Sequence, residues 1–145
     1  MALTEAESCS SVAAADPATA SISHDGRPDL SQAVVPDDEG MLTLEPTLAA
    51  ACLYNECDHD TAAWAVGHLG PQPLVTLQQT PRSVAWRSKP STYAICANDL
   101  IVHPGLQRIM AARCTRAVEW DSDHSPFLSR PDLVVRLLAA EASHD

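Results

Sequence analysis

The chain has 145 residues, enough for one domain with a moderate core. Its net charge of −10, from 19 acidic against 9 basic side chains with no Lys/Arg cluster, argues against nucleic acid or an anionic membrane as partners. No stretch nears the roughly 18 consecutive apolar residues of a membrane-spanning helix, and no basic segment followed by an apolar one opens the sequence, so a cytoplasmic location is expected.

Residues 1–40 are expected to be poorly ordered or to form an entry segment to the helical region after them. An Ala-rich helix over Met1–Ala15 is stopped by Asp16-Pro17, and Ala18–Gly40 mixes Ser, Asp, Pro and Gly with few large apolar side chains. Order is expected from Met41, beginning with a helical region over 41–85. Pro46 opens a first helix running to Tyr54. Asp58 is placed to cap a second, with Asp60 in its first turn, Ala62, Ala65, Val66 and Leu69 on one face, and Gly70-Pro71 at its end. A third covers Gln72–Gln78 before Pro81.

Residues 86–145 read differently. Thr92–Ala97 is a short apolar run of the kind that forms a strand buried on both faces. Pro104 opens a helix with Leu106, Ile109 and Met110 on one face, and Ala117–Trp120 is a second strand. Ser129-Arg130-Pro131-Asp132 fits a capping box for a closing helix through Leu133, Val134, Leu137, Leu138 and Glu141. The fold class is therefore α/β, a helical layer followed by a βαβα unit. Two strands are fewer than an open α/β sheet normally has, and their exposed edges predict self-association.

The chemistry gathers where the two strands end. Asp99 follows the first and His124 the second, and adjacent parallel strands lie only about 4.8 Å apart. A carboxylate and an imidazole so placed suit an acid that orients a base. The plainer alternative is that Asp99 caps a turn and His124 is an exposed loop residue. Cys52, Cys57, His59 and His68 depart from common zinc spacings, so neither metal nor cofactor is expected. The remaining cysteines, Cys9, Cys96 and Cys114, complete an odd set without a CxxC pair and read as reduced thiols. Trp64, Trp86 and Trp120 read as packing residues, with Trp64 off the stripe of its helix.

From about Met41 onward the chain resembles the C-terminal part of an α/β-hydrolase of the esterase-like group that includes plant methylesterases and small bacterial hydrolases. The resemblance rests on Trp86-Arg87, Pro90–Tyr93, Cys96–Asp99, Leu106-Gln107, Met110-Ala111 and His124–Pro131. It implies that Asp99 is the triad acid, His124 the triad base, and 46–79 the helical lid of an incomplete α/β-hydrolase fold. Related hydroxynitrile lyases carry Lys directly after the histidine, where this chain has Ser125, which favours ester hydrolysis. Lid helices rich in Ala, Leu and Val imply a small apolar ester as substrate. The family's nucleophile sits in a G-x-S-x-G elbow. Gly26, Gly40, Gly67, Gly70 and Gly105 include no two that are four apart, so these residues hold no such elbow. The resemblance thus implies a truncated, inactive hydrolase chain. A small acidic binding or interaction protein on a remnant hydrolase scaffold is the alternative.

Overall fold

The computed structural model describes residues 30–143. The expected helix over Met1–Ala15, and most of the segment expected to be poorly ordered, lie outside the described residues. From Leu30 the chain is regular earlier than the sequence reading has it. A 3-10 turn at Leu30–Gln32 leads into strand β1 (Val34–Pro36), which pairs antiparallel with β2 (Met41–Leu44). The connecting turn is built by Asp37, whose Oδ1 accepts from the Glu39 and Met41 amides, and by Gly40 at φ 77°, a left-handed conformation glycine adopts without strain. Pro36 is tolerated because β1 is the edge of its sheet.

Helix α1 (Pro46–Leu53) starts at Glu45, whose carboxylate accepts from the Thr47 and Leu48 amides, with Pro46 in the first turn. Helix α2 (His59–Val66) is capped by Asp58, which accepts from the Asp60 and Thr61 amides and from the Thr61 hydroxyl. It stops at Gly67, so Leu69 falls outside it. Gln72 and Pro73 are not helical: they form strand β3, paired with β2, and helix α3 follows at Leu74–Gln78. A 3-10 turn at Ala85–Arg87 leads to the second sheet.

Strand β4 (Thr92–Cys96) pairs parallel with β5 (Arg116–Trp120), joined through helix α4 (Pro104–Ala111), which packs on β4. The ladder continues past both strand ends, Ala97 N–H donating to Trp120 O and Asn98 N–H to Ser122 O. Helix α5 (Pro126–Ser129) then packs against α6 (Pro131–Ala142). The capping box expected at Ser129–Asp132 does not form. Ser129 ends α5, its hydroxyl donates to Asp123, and α6 begins at Arg130 without a side-chain cap. Glu141 of α6 accepts from the Thr92 hydroxyl and pairs with Arg116, tying the last helix across both strands.

Among the described residues four of the nine buried apolar ones are alanine: Ala33, Ala49, Ala65 and Ala111. The largest fully buried side chains among them are Asp123, Cys52 and Ser122, two of them polar. Large apolar side chains stay outside instead, among them Trp64, Leu74, Val75 and Leu77 in the helical layer and Val135 and Leu138 on α6. No helix among the described residues is long and apolar enough to cross a membrane.

Candidate functional site

Asp99 follows β4 by three residues and is only 3% exposed. Its Oδ1 accepts from the Ile101 and Val102 amides at 2.7 and 3.0 Å, so the loop beyond it orients the carboxylate. Oδ2 is left to face two groups: the Gln107 side-chain amide at 2.9 Å and His124 Nδ1 at 3.0 Å. His124 follows β5, and its side chain keeps 32% of its surface open. With Nδ1–H donated to the carboxylate, Nε2 is the ring nitrogen able to exchange a proton.

Sequence reasoning does not single out Gln107 as a site residue. It is as buried as Asp99 and makes four hydrogen bonds. Its Oε1 accepts from Cys96 N–H at 2.9 Å, and its Nε2 reaches Cys96 O, Val102 O and Asp99 Oδ2. Helix α4 thus uses one amide side chain to finish the end of β4 and steady the acid. The signal is present in the spacing: Pro104, Gln107 and Ala111 share a helical stripe, and all are buried. A polar residue on such a stripe needs partners.

A second polar group surrounds His124. Asp123 accepts from Ser125 N–H, the Ser129 hydroxyl and Glu56 N–H. Asn98 bridges the loops, its amide donating to Glu56 at 2.5 Å and to Asp121 at 2.8 Å. The α1–α2 connection therefore touches both site loops. Cys96 is buried just before the acid loop, and that burial, aided by the Asp99 and Asp123 carboxylates nearby, pushes its thiol above the usual range.

Ser122 is fully buried and Ser125 nearly so, while the Ser129 hydroxyl is engaged by Asp123. Among the described residues no three His, Cys, Asp or Glu side chains gather as a metal ion requires. His68 bonds Trp64 O through Nδ1 and lies against the Trp64 ring, centroids 4.3 Å apart. An open groove of about 530 Å³ is lined by Thr76, Gln79, Thr80, Pro81 and Arg82, none of which joins the Asp99–His124 network.

The model of the family described as "Alpha/beta hydrolase family" matches residues 3–137. The chain belongs to the alpha/beta hydrolase family. Among its curated relatives is the alpha/beta hydrolase nvfD of Aspergillus novofumigatus, 39% identical over 105 residues, which cover 70% of this chain and 42% of that protein. Among solved structures, a methylesterase from Arabidopsis superposes with a TM-score of 0.65 at 20% identity, covering 73% of this chain and 48% of that one. Polyneuridine aldehyde esterase gives 0.60 at 18% identity, covering 75% and 47%. This hydrolase-family chain therefore spans less than half the length of these relatives. Among the described residues its two small sheets, of three and two strands, with helices between them are an incomplete alpha/beta hydrolase fold, corresponding to the C-terminal part.

Proposed function

We propose that this chain carries the acid and base of a Ser-His-Asp triad of carboxylic-ester hydrolase type, Asp99 as acid and His124 as base. The observation that carries the reading is the 3.0 Å contact between His124 Nδ1 and the buried Asp99 Oδ2. An acid so held fixes the tautomer with its proton on Nδ1 and stabilises the imidazolium. In an intact enzyme that supplies the serine, His124 Nε2 would take the proton of its hydroxyl and return it to the departing alcohol. Two esterases among the structural relatives support the ester class. The exposed Trp64, Leu74, Val75 and Leu77 of the helical layer support a small apolar ester.

The 145 residues contain no G-x-S-x-G elbow, so the chain on its own is proposed to be inactive. Fluorophosphonate labelling of the purified chain tests this: no serine adduct is expected, and an adduct lost in His124→Ala overturns it. Proton NMR tests the pair. A downfield His124 Nδ1–H resonance is expected in the unsubstituted chain and absent in Asp99→Ala; an identical resonance in both removes the basis of the reading.

One observation favours a second reading, a non-catalytic module that associates with a partner or with itself. Among the described residues strands β4 and β5 pair only with each other, leaving two open edges. Light scattering separates the two: a defined dimer with cooperative unfolding supports association, and a monomer argues against it.

A further inference from the structure

We propose that Asp123 is the positioning residue for His124, its carboxylate closing a turn around that residue and fastening the turn to the α1–α2 connection. This role deepens the acid–base reading of Asp99 and His124 and rests on it. Asp123 is the largest side chain in the fully buried set, 0% exposed. Its Oδ1 accepts from Ser125 N–H at 3.0 Å and from the Ser129 hydroxyl at 2.6 Å, and its Oδ2 accepts from Glu56 N–H at 3.1 Å. The first of these bonds spans His124, making an Asx turn with the imidazole-bearing residue at its centre. The backbone from which the ring projects is thereby fixed, and the ring meets Asp99 from that fixed point at 3.0 Å.

None of the hydrogen bonds among the described residues joins Asp123 to the imidazole itself, so its action is through the backbone. Filling a core position alone is done at less cost by an apolar side chain, because a buried carboxylate gives up its hydration. What a carboxylate adds is direction. Three donors from three places, the loop after His124, the end of α5 and the turn between α1 and α2, converge on its two oxygens. Glu56, the residue held by Oδ2, also receives the Asn98 amide, and Asn98 directly precedes Asp99. The helical layer is thus latched to both halves of the pair, with Asp123 as the latch on the histidine side.

The test is NMR of the purified full chain, unsubstituted and as Asp123→Ala, Asp123→Asn and Asp99→Ala, following the His124 Nδ1–H resonance and the exchange of Glu56 N–H. Asparagine keeps an oxygen that closes the Asx turn but turns a donor toward Glu56 N–H. Asp123→Asn is therefore expected to retain the His124 resonance and lose Glu56 protection. Asp123→Ala is expected to lose both, its His124 resonance disappearing as it does in Asp99→Ala. A folded Asp123→Ala chain with the unsubstituted His124 resonance overturns the proposal. If that variant does not fold, Asp123→Asn decides: retention of the resonance with loss of Glu56 protection supports the proposal, and any other pattern overturns it. Asp99→Ala separates the two levels. If it leaves the His124 Nδ1–H resonance in place, the acid–base reading itself fails; if it removes the resonance and Asp123→Ala does not, only the role of Asp123 fails.

Discussion

Replacing Gln107 perturbs the acid without touching it. In Gln107→Leu the Cys96 N–H, buried at the end of β4, loses its 2.9 Å acceptor, and Asp99 Oδ2 loses a donor at the same distance. An orphaned buried amide costs ~1–3 kcal/mol and a lost bond to a carboxylate ~1.5–3 kcal/mol, so stability should fall by roughly 3–5 kcal/mol. That is a large share of a small domain's total. Gln107→Glu adds a signature in pH. It sets a second carboxyl against Asp99 at the 2.9 Å now spanned by the amide, and two charges cannot both sit there without a steep cost. The folded state then holds a proton that the unfolded glutamate releases above its ordinary value of about 4.3. The pair's raised folded value means that this part of the deficit is absent below that pH and grows as pH rises toward the folded value. At 1.36 kcal/mol per unit, holding that proton at about pH 7 costs at most ~3.7 kcal/mol. A pH-independent remainder of ~1–2 kcal/mol comes from the lost bonds to the Cys96 and Val102 carbonyls. Urea titrations read by tryptophan fluorescence at about pH 4.5 and 7.5 measure both parts. A Gln107→Glu deficit equal at the two pH values, or a Gln107→Leu chain within about 1 kcal/mol of the parent, refutes the reasoning.

Other outcomes are expected from the caps, ion pairs and thiols. The backbone amides of Thr61 and Asp60, with the Thr61 hydroxyl, hold the Asp58 carboxyl below its ordinary range. Its stabilisation of α2 is present above the unfolded value and lost as pH falls through the folded one, so melting curves of the parent and Asp58→Ala should separate near neutral pH and converge in acid. Arg116 and Glu141 are each about half exposed, so Arg116→Ala should cost less than about 1 kcal/mol, and less again at high salt in denaturant melts. Burial raises the Cys96 thiol, whereas Cys114 lies nearer the surface. Mass spectrometry after brief alkylation at mildly alkaline pH should find Cys114 modified first and Cys96 only after denaturant is added; early modification of Cys96 contradicts its burial at the end of β4.

Where sequence reasoning succeeds, the cause is local chemistry. Asp58 stands directly before a run of helix formers, and Pro46 and Pro104 can occupy only a first turn, so three helix starts are legible. The strands at 92 and 116 are legible as apolar runs bounded by polar loops, and the family is legible from the residues around Asp99 and His124. The hairpin of β1 and β2 escapes because Pro36 and the acidic turn outweigh Val34 and Val35 in composition, although Asp37 and Gly40 are turn-building residues. The closing helix is placed correctly but started wrongly. Ser129 has the spacing of a cap, yet a buried carboxylate six residues earlier competes for its hydroxyl, and that competitor is visible only in three dimensions. Asp123 escapes for the same reason, since its tie to the Glu56 amide spans 67 positions, whereas Gln107 shows in its buried stripe only that it needs partners, not which ones.

The pairing of β4 with β5 sets a length rule for the site. A constant offset of 24 positions runs from Thr92 opposite Arg116 to Cys96 opposite Trp120. Asn98 N–H then reaches Ser122 O, and His124 stands within reach of Asp99. Each loop beyond a strand is thus a ruler of fixed length, whereas the turn over residues 112–115 between α4 and β5 lies at the other end of the strands and carries no side chain of the site. An extra residue in that turn can be taken up at the surface. Removing one between Trp120 and His124 swings the imidazole off the carboxylate, whatever the composition of the shortened loop.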